Sequence, residues 1–153
     1  MKKIGTHKLN YEKLSEGFKL PVDDVIKFLN DGRIMGRLGE FIHSLSSGGG
    51  RQNENSSFDI LEENSQKSEV RSITKQVSFA SSKEVGFGRK VTENGFKEKL
   101  NSIDRYVLLD LRNLKNGTYD TIEVTKEDIN MLSLGKNKTI SAKKFFKIYD
   151  NIK

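Results

Sequence analysis

The chain contains no cysteine. That absence removes disulfides, thiolate nucleophiles and the usual structural zinc sites, it fits a reducing compartment, and any metal would have to be held by oxygen. Histidine is almost as scarce. His7 and His43 are the only two, too few and too scattered for a His-based metal site or a Ser-His-Asp triad. No apolar run approaches the roughly eighteen residues that mark a membrane span. The first residues, MKKIGTHKLN, have the basic start of a signal peptide without the apolar stretch that follows one. A cytoplasmic protein with no membrane partner is the expectation. No internal repeat is present.

What is there suits one folded domain. The chain has 153 residues, 34% hydrophobic and 31% charged, with nine Phe and four Tyr to concentrate the apolar character where it can pack. A net charge of +6 favours a polyanionic partner, nucleic acid before an anionic membrane surface.

Residues 8–20 carry a weak helical pattern. Pro21 opens a clearer helix in which Val22, Val25, Ile26 and Leu29 share a face and Asp23 and Asp24 suit its positive end. Asp31-Gly32 stops it, and a second amphipathic helix follows to about Ser46, with Gly36 and Gly39 allowing a neighbour close. The glycine-rich stretch SSGGGRQNENSS reads as a loop. The period then changes to two: SSFDIL and SEVRSIT read as strands joined by EENSQK, with QVSFA as a third. Helical spacing resumes over 94–103, RYVLLDL reads as a twice-buried central strand, Thr125 with Asp128 forms a capping box, and Ser141 caps the last helix. The expected class is α/β (α+β), a central mixed sheet flanked by helices.

Side chains alternate along a strand, so residues of matching parity across an in-register hairpin point to one face. Asp59, Glu69 and Arg71 therefore converge, while Phe58, Ile60 and Val70 turn toward a core. Two carboxylates aimed at one spot repel unless a positive charge lies between them, and Mg²⁺, with Mn²⁺ as a substitute, is the natural occupant. Arg71 would hold an attacked phosphate.

These pieces, Phe58-Asp59-Ile60 and Glu69-Val70-Arg71 with Leu38-Gly39-Glu40 on the preceding helix, resemble the PD-(D/E)XK nuclease superfamily, to which many type II restriction endonucleases belong. The resemblance covers residues 33–112. It implies a restriction-endonuclease-like core in α-β-β-β-α-β order, with Asp59 and Glu69 binding Mg²⁺, the Val70 carbonyl assisting and Glu40 close by. The single nuclease-like domain, 1–153, would divide into N-terminal helices over 1–46 that serve a homodimer interface, a core over 57–112 with the site, and C-terminal helices over 113–153. The expected function is a Mg²⁺-dependent endonuclease acting on double-stranded DNA. Arg71 departs from the family's Lys, and arginine cannot serve as a general base. Lys67 and Lys75 share the strand parity and are the candidates for a replacement ammonium.

Further DNA contacts are expected from Arg51 in the glycine-rich loop and from Ser81, Ser82, Lys83, Arg89 and Lys90 around GFGRK, which join hydroxyls and cations. Against these stand plainer readings: an exposed hairpin face with an Arg71–Asp59 ion pair, a linker, and a glycine-rich turn with solvated charges. Two rival functions remain open from sequence, a non-catalytic DNA-binding protein using residues 21–30 and 33–46 as a helix-turn-helix, and a basic protein-interaction module.

Overall fold

A computed structural model describes residues 1–53, 56–81, 83–84 and 89–152. The chain is mixed α/β, with a six-stranded sheet in the order β1-β7-β6-β4-β3-β2 flanked by helices. It begins with β1 (Lys2–Lys8), followed by helices α1 (Tyr11–Phe18), α2 (Val22–Leu29) and α3 (Gly32–Ser46). Strands β2 (Gly50–Arg51), β3 (Ile60–Leu61) and β4 (Lys67–Ile73) form an antiparallel meander, and β5 (Gln76–Ser78) then leaves the sheet. Helix α4 (Glu93–Ser102) crosses over to β6 (Arg105–Asp110), which pairs parallel to β4. A parallel pair requires such a crossover. A 3-10 turn over Leu114–Asn116, β7 (Thr118–Thr125), α5 (Lys126–Met131), β8 (Thr139–Ser141) and α6 (Ala142–Ile152) complete the order.

Strand β6 is central, and Tyr106, Val107, Leu108 and Leu109 are all fully buried, as expected for a strand covered on both faces. Its alternate residues feed two cores. Val107 and Leu109 join Val70, Ile60, Val25, Leu29 and Met35 beneath α2 and α3. Tyr106 and Leu108 join Ile73, Phe96, Phe145 and Tyr149 beneath α4 and α6. Gly39 is what lets α3 lie flat on this sheet, since a Cβ there would overlap Leu109. Gly36, expected to do the same, has only the Ser72 hydroxyl near it, at 3.9 Å.

Several expectations change. The weak helical pattern over 8–20 holds as α1, which the Asn10 side chain caps by accepting from the Lys13 N–H, but the segment before it, Lys2–Lys8, is a strand paired antiparallel with β7. The glycine-rich loop contains a strand, because Gly50–Arg51 pairs with Ile60–Leu61. The first strand of the hairpin is only two residues long. QVSFA pairs with β8 instead of extending the hairpin. Residues 113–153 are not purely helical, since β7 alternates with Tyr119, Thr121 and Val124 turned inward. The capping box at Thr125 and Asp128 is present, and the Ser141 hydroxyl accepts from the Lys144 N–H at the start of α6.

Candidate active site

The geometry follows from the shortness of β3. Strand β4 has β6 along one edge for its whole length, from Ser68 to Ile73, but β3 covers the other edge only at Lys67 and Ser68. From Glu69 onward that edge is open. A cleft of about 890 Å³ lies there, walled by the α3 residues Arg33, Arg37 and Glu40 and reached from the far side by Lys99 of α4.

Asp59 sits one residue before β3 and continues its ladder on both sides: its N–H donates to the Ser68 carbonyl (3.1 Å) and its own carbonyl accepts from the Gln52 N–H (2.8 Å). Its carboxylate Oδ2 accepts from the Val70 N–H at 2.8 Å, in the place where another strand would have accepted. The carbonyl of an extended residue points to the same strand edge as its N–H, so the Val70 carbonyl also faces this gap. Ile60 and Val70 turn into the core beneath α3 as expected, whereas Phe58 packs against the opposite core.

Glu69 is only 3% exposed. Its Oε1 accepts from Arg71 and its Oε2 from Lys99. The Lys99 ammonium also donates to the Ser57 carbonyl at 2.7 Å, which ties α4 to the segment leading to Asp59. Burial raises the Glu69 pKa; Arg71 opposes the rise and the neighbouring Asp59 charge adds to it. Glu40 behaves alike: burial raises its pKa and Asp59 pushes it further, against Arg37 and Arg51.

Asp59, Glu69 and Arg71 therefore line one cleft, as the strand parity predicts, and Glu40 of α3 lines it too, where the resemblance puts it. The plainer reading of an exposed hairpin face with an Arg71–Asp59 ion pair fails, because Glu69 is buried and Arg71 pairs with Glu69 instead. Among the described residues Arg71 Nε has no hydrogen-bond partner, so one donor at the site is not used by the fold. The replacement ammonium is not where parity placed it: neither Lys67 nor Lys75 lines the cleft, and Lys67 lies over the Phe58 ring. Lys99 was missed. Its signal was a lysine on an apolar stripe, at i+3 from Phe96 and four residues before Ile103.

Among the expected DNA contacts, Arg51 is close to the cleft, donating to Glu40 at 3.3 Å and stacked over the Phe41 ring. Ser81, Lys83, Arg89 and Lys90 do not line the cleft; Arg89 donates to the Lys83 carbonyl and the Ser81 hydroxyl accepts from the Lys83 N–H. Ser82 lies outside the described residues. Helix α3, the second helix of the helix-turn-helix rival, is packed on the sheet through Met35, Gly39 and His43.

A second cavity of about 680 Å³ lies at the other end of α3, lined by His7, His43, Glu62 and Arg105 among others. Its charges are satisfied within the protein. Burial works to raise the Glu62 pKa, but hydrogen bonds from Arg105, Ser68 and His43 outweigh it and hold the carboxylate below its ordinary value.

The donor set at the open edge is two carboxylates, one of them buried, and a backbone carbonyl, the hard oxygen donors that Mg²⁺ prefers. Among the described residues no cluster of three or more His, Cys, Asp or Glu side chains is placed to hold a metal, so the set is two side chains plus backbone and water. Also among the described residues, no helix is long and apolar enough to cross a membrane. Comparison of the chain with protein-family models, curated proteins and solved structures gives no match.

Proposed function

We propose that this chain is a metal-dependent endonuclease of PD-(D/E)XK type that hydrolyses phosphodiester bonds in double-stranded DNA. The observation that carries the reading is the meeting of Asp59 and Glu69 at the open edge of β4, with a buried lysine from α4 bonded to Glu69. The chain order supports it: α3, β2, β3, β4, α4 and β6 run α-β-β-β-α-β once β5 is set aside as an excursion from the sheet.

Asp59, Glu69 and the Val70 carbonyl would hold Mg²⁺ or Mn²⁺, which when bound supplies a polarised phosphate and an acidified water. The protein's own groups do the remainder. Asp59 is fixed by the Val70 N–H, so it presents its other oxygen to the gap. Arg71 lines the cleft with a partly exposed guanidinium, suited to a phosphate oxygen as charge develops on it. Lys99 holds Glu69 by one oxygen and brings a buried ammonium to the site, where it would serve the attacking water. The role that the family gives to a strand lysine is thus divided, with Arg71 on the phosphate and Lys99 near the water. A homodimer would offer two such sites to the two strands of a duplex, and α1, α2 and the turn between them carry exposed Phe18, Leu20, Val22 and Phe28 that suit its interface.

Incubating plasmid and linear DNA with the protein and Mg²⁺ or Mn²⁺ tests the proposal. Metal-dependent cutting that is lost in both Asp59→Ala and Glu69→Ala is the expected result. Binding to DNA without cutting under either metal would leave a non-catalytic DNA-binding protein instead.

A further inference from the structure

The cleft is chemically lopsided. One wall is the face of α3 that carries Arg33, Arg37 and Glu40, four and three residues apart and so on one stripe. Beside it the lining is uncharged: Ser72 and Thr74, which pack against the first turn of α3, then Gln76 and Ser78 as β4 gives way to β5. At a rise of about 1.5 Å per residue, Arg33 and Arg37 stand about 6 Å apart along the helix and lead to Glu40 about 4–5 Å further on. Glu40 is the carboxylate that feels the charge of Asp59.

Both arginines are largely exposed and make surface pairs. The Arg33 side chain is 93% exposed and bonds Asp31 at 3.2 Å, and Arg37 is 57% exposed and bonds Glu40 at 3.4 Å. Exposed pairs of this kind contribute little, and a phosphate, with more charge and more acceptor oxygens than one carboxylate, can replace them. The cap of α3 does not depend on the Arg33 guanidinium, because Asp31 caps the helix through the Arg33 backbone N–H at 2.8 Å.

We infer that Arg33 and Arg37 form a phosphate track on α3, along which one backbone strand of a nucleic acid runs toward the cleft. The nuclease reading supplies only the identity of the polyanion. The track itself follows from two exposed guanidiniums one helical turn apart at the rim of the cleft.

The test is binding without catalysis. Anisotropy of a fluorescein-labelled duplex oligonucleotide is measured in EDTA over a series of sodium chloride concentrations, for wild type, Arg33→Gln/Arg37→Gln and Lys143→Gln/Lys144→Gln. The last variant removes the same charge from the exposed side of α6. Each lost phosphate contact should reduce the slope of log K against log salt by about 0.9. The α3 double variant is therefore expected to lose about 2 from the slope, and the α6 double to keep the wild-type value. Melting curves check that both remain folded; should the double variant fail, Arg37→Gln alone is expected to lose about 1. Equal losses in both doubles, an unchanged slope in the α3 double, or no binding by wild type would each overturn the track. Magnesium-dependent cutting with an unchanged α3 slope would sink the track and spare the nuclease; a position-dependent slope with no cutting under any metal would do the reverse.

Discussion

Lys99 on α4 and Glu69 on β4 form an ion pair in which both side chains are nearly sealed from solvent, at 7% and 4% exposure. A buried pair holds well only when the remaining donors and acceptors also find partners. Here they do, since Lys99 also donates to the Ser57 carbonyl and Glu69 also accepts from Arg71. The pair joins the helix after the hairpin to the hairpin itself.

Replacing Lys99 by Met removes the ammonium while keeping a long apolar stem. Cleavage should fall on the order of 100-fold or more, as when one preorganised donor is lost from a reaction centre. Oligonucleotide affinity in EDTA should change far less. Single-turnover cleavage set beside anisotropy separates the two, and unchanged cleavage would remove Lys99 from the site.

Arg71 makes a different prediction now that an ammonium is present from α4. Arg71→Lys should keep cleavage within about tenfold of wild type, since a point charge remains near the phosphate. Arg71→Ala should lose on the order of 100-fold. A large gain in Arg71→Lys would mean that the strand position, not Lys99, decides activity.

Glu40 links the cleft to pH. Its folded pKa is raised by burial and by Asp59, so the folded state binds its proton more tightly than the unfolded chain does. Stability from this group is fully present below its unfolded pKa and is lost as pH rises through the folded value. Glu40→Gln removes that loss. Its melting temperature relative to wild type should therefore climb from acidic to neutral pH, and a constant difference across the range would contradict the assignment.

Gly39 tests the packing of α3. A side chain there would overlap Leu109, and Gly39→Val should destabilise the fold by about 1–3 kcal/mol as an overpacked contact. Urea unfolding measures this. Gly36→Ala, which meets only the Ser72 hydroxyl at 3.9 Å, should be neutral or mildly stabilising because alanine favours helix over glycine.

Magnesium should raise the melting temperature of wild type by preferential binding to the folded state. Asp59→Asn should lose most of that rise. A shift that persists in Asp59→Asn would place the ion elsewhere.

The parts legible in the sequence were those governed by local rules. Helices α2 and α3, the hairpin turn, the buried β6 and the Thr125 capping box follow from periodicity and short-range hydrogen bonding. The meeting of Asp59 with Glu69 follows from parity alone. What escaped depends on partners distant in the chain. Lys2–Lys8 is a strand because β7 is there to pair with it, and its lysines and glycine hide the period. β7 itself carries inward Thr121 among polar neighbours. Lys99 looked like one more solvated lysine, and only the folding of α4 onto the hairpin shows that its stripe is buried.

The open edge of β4 has a consequence beyond any chemistry at the site. Backbone groups left bare along a strand invite a foreign strand to add on, the first step of aggregation. Here the Asp59 side chain occupies the Val70 N–H as a surrogate neighbour, and buried or half-buried charges line the space where an intruding strand would have to lie. The groups assigned to a reaction thus also act as a guard rail against self-assembly. Variants that strip Asp59 and Glu69 of charge should be watched for oligomers as well as for lost cutting.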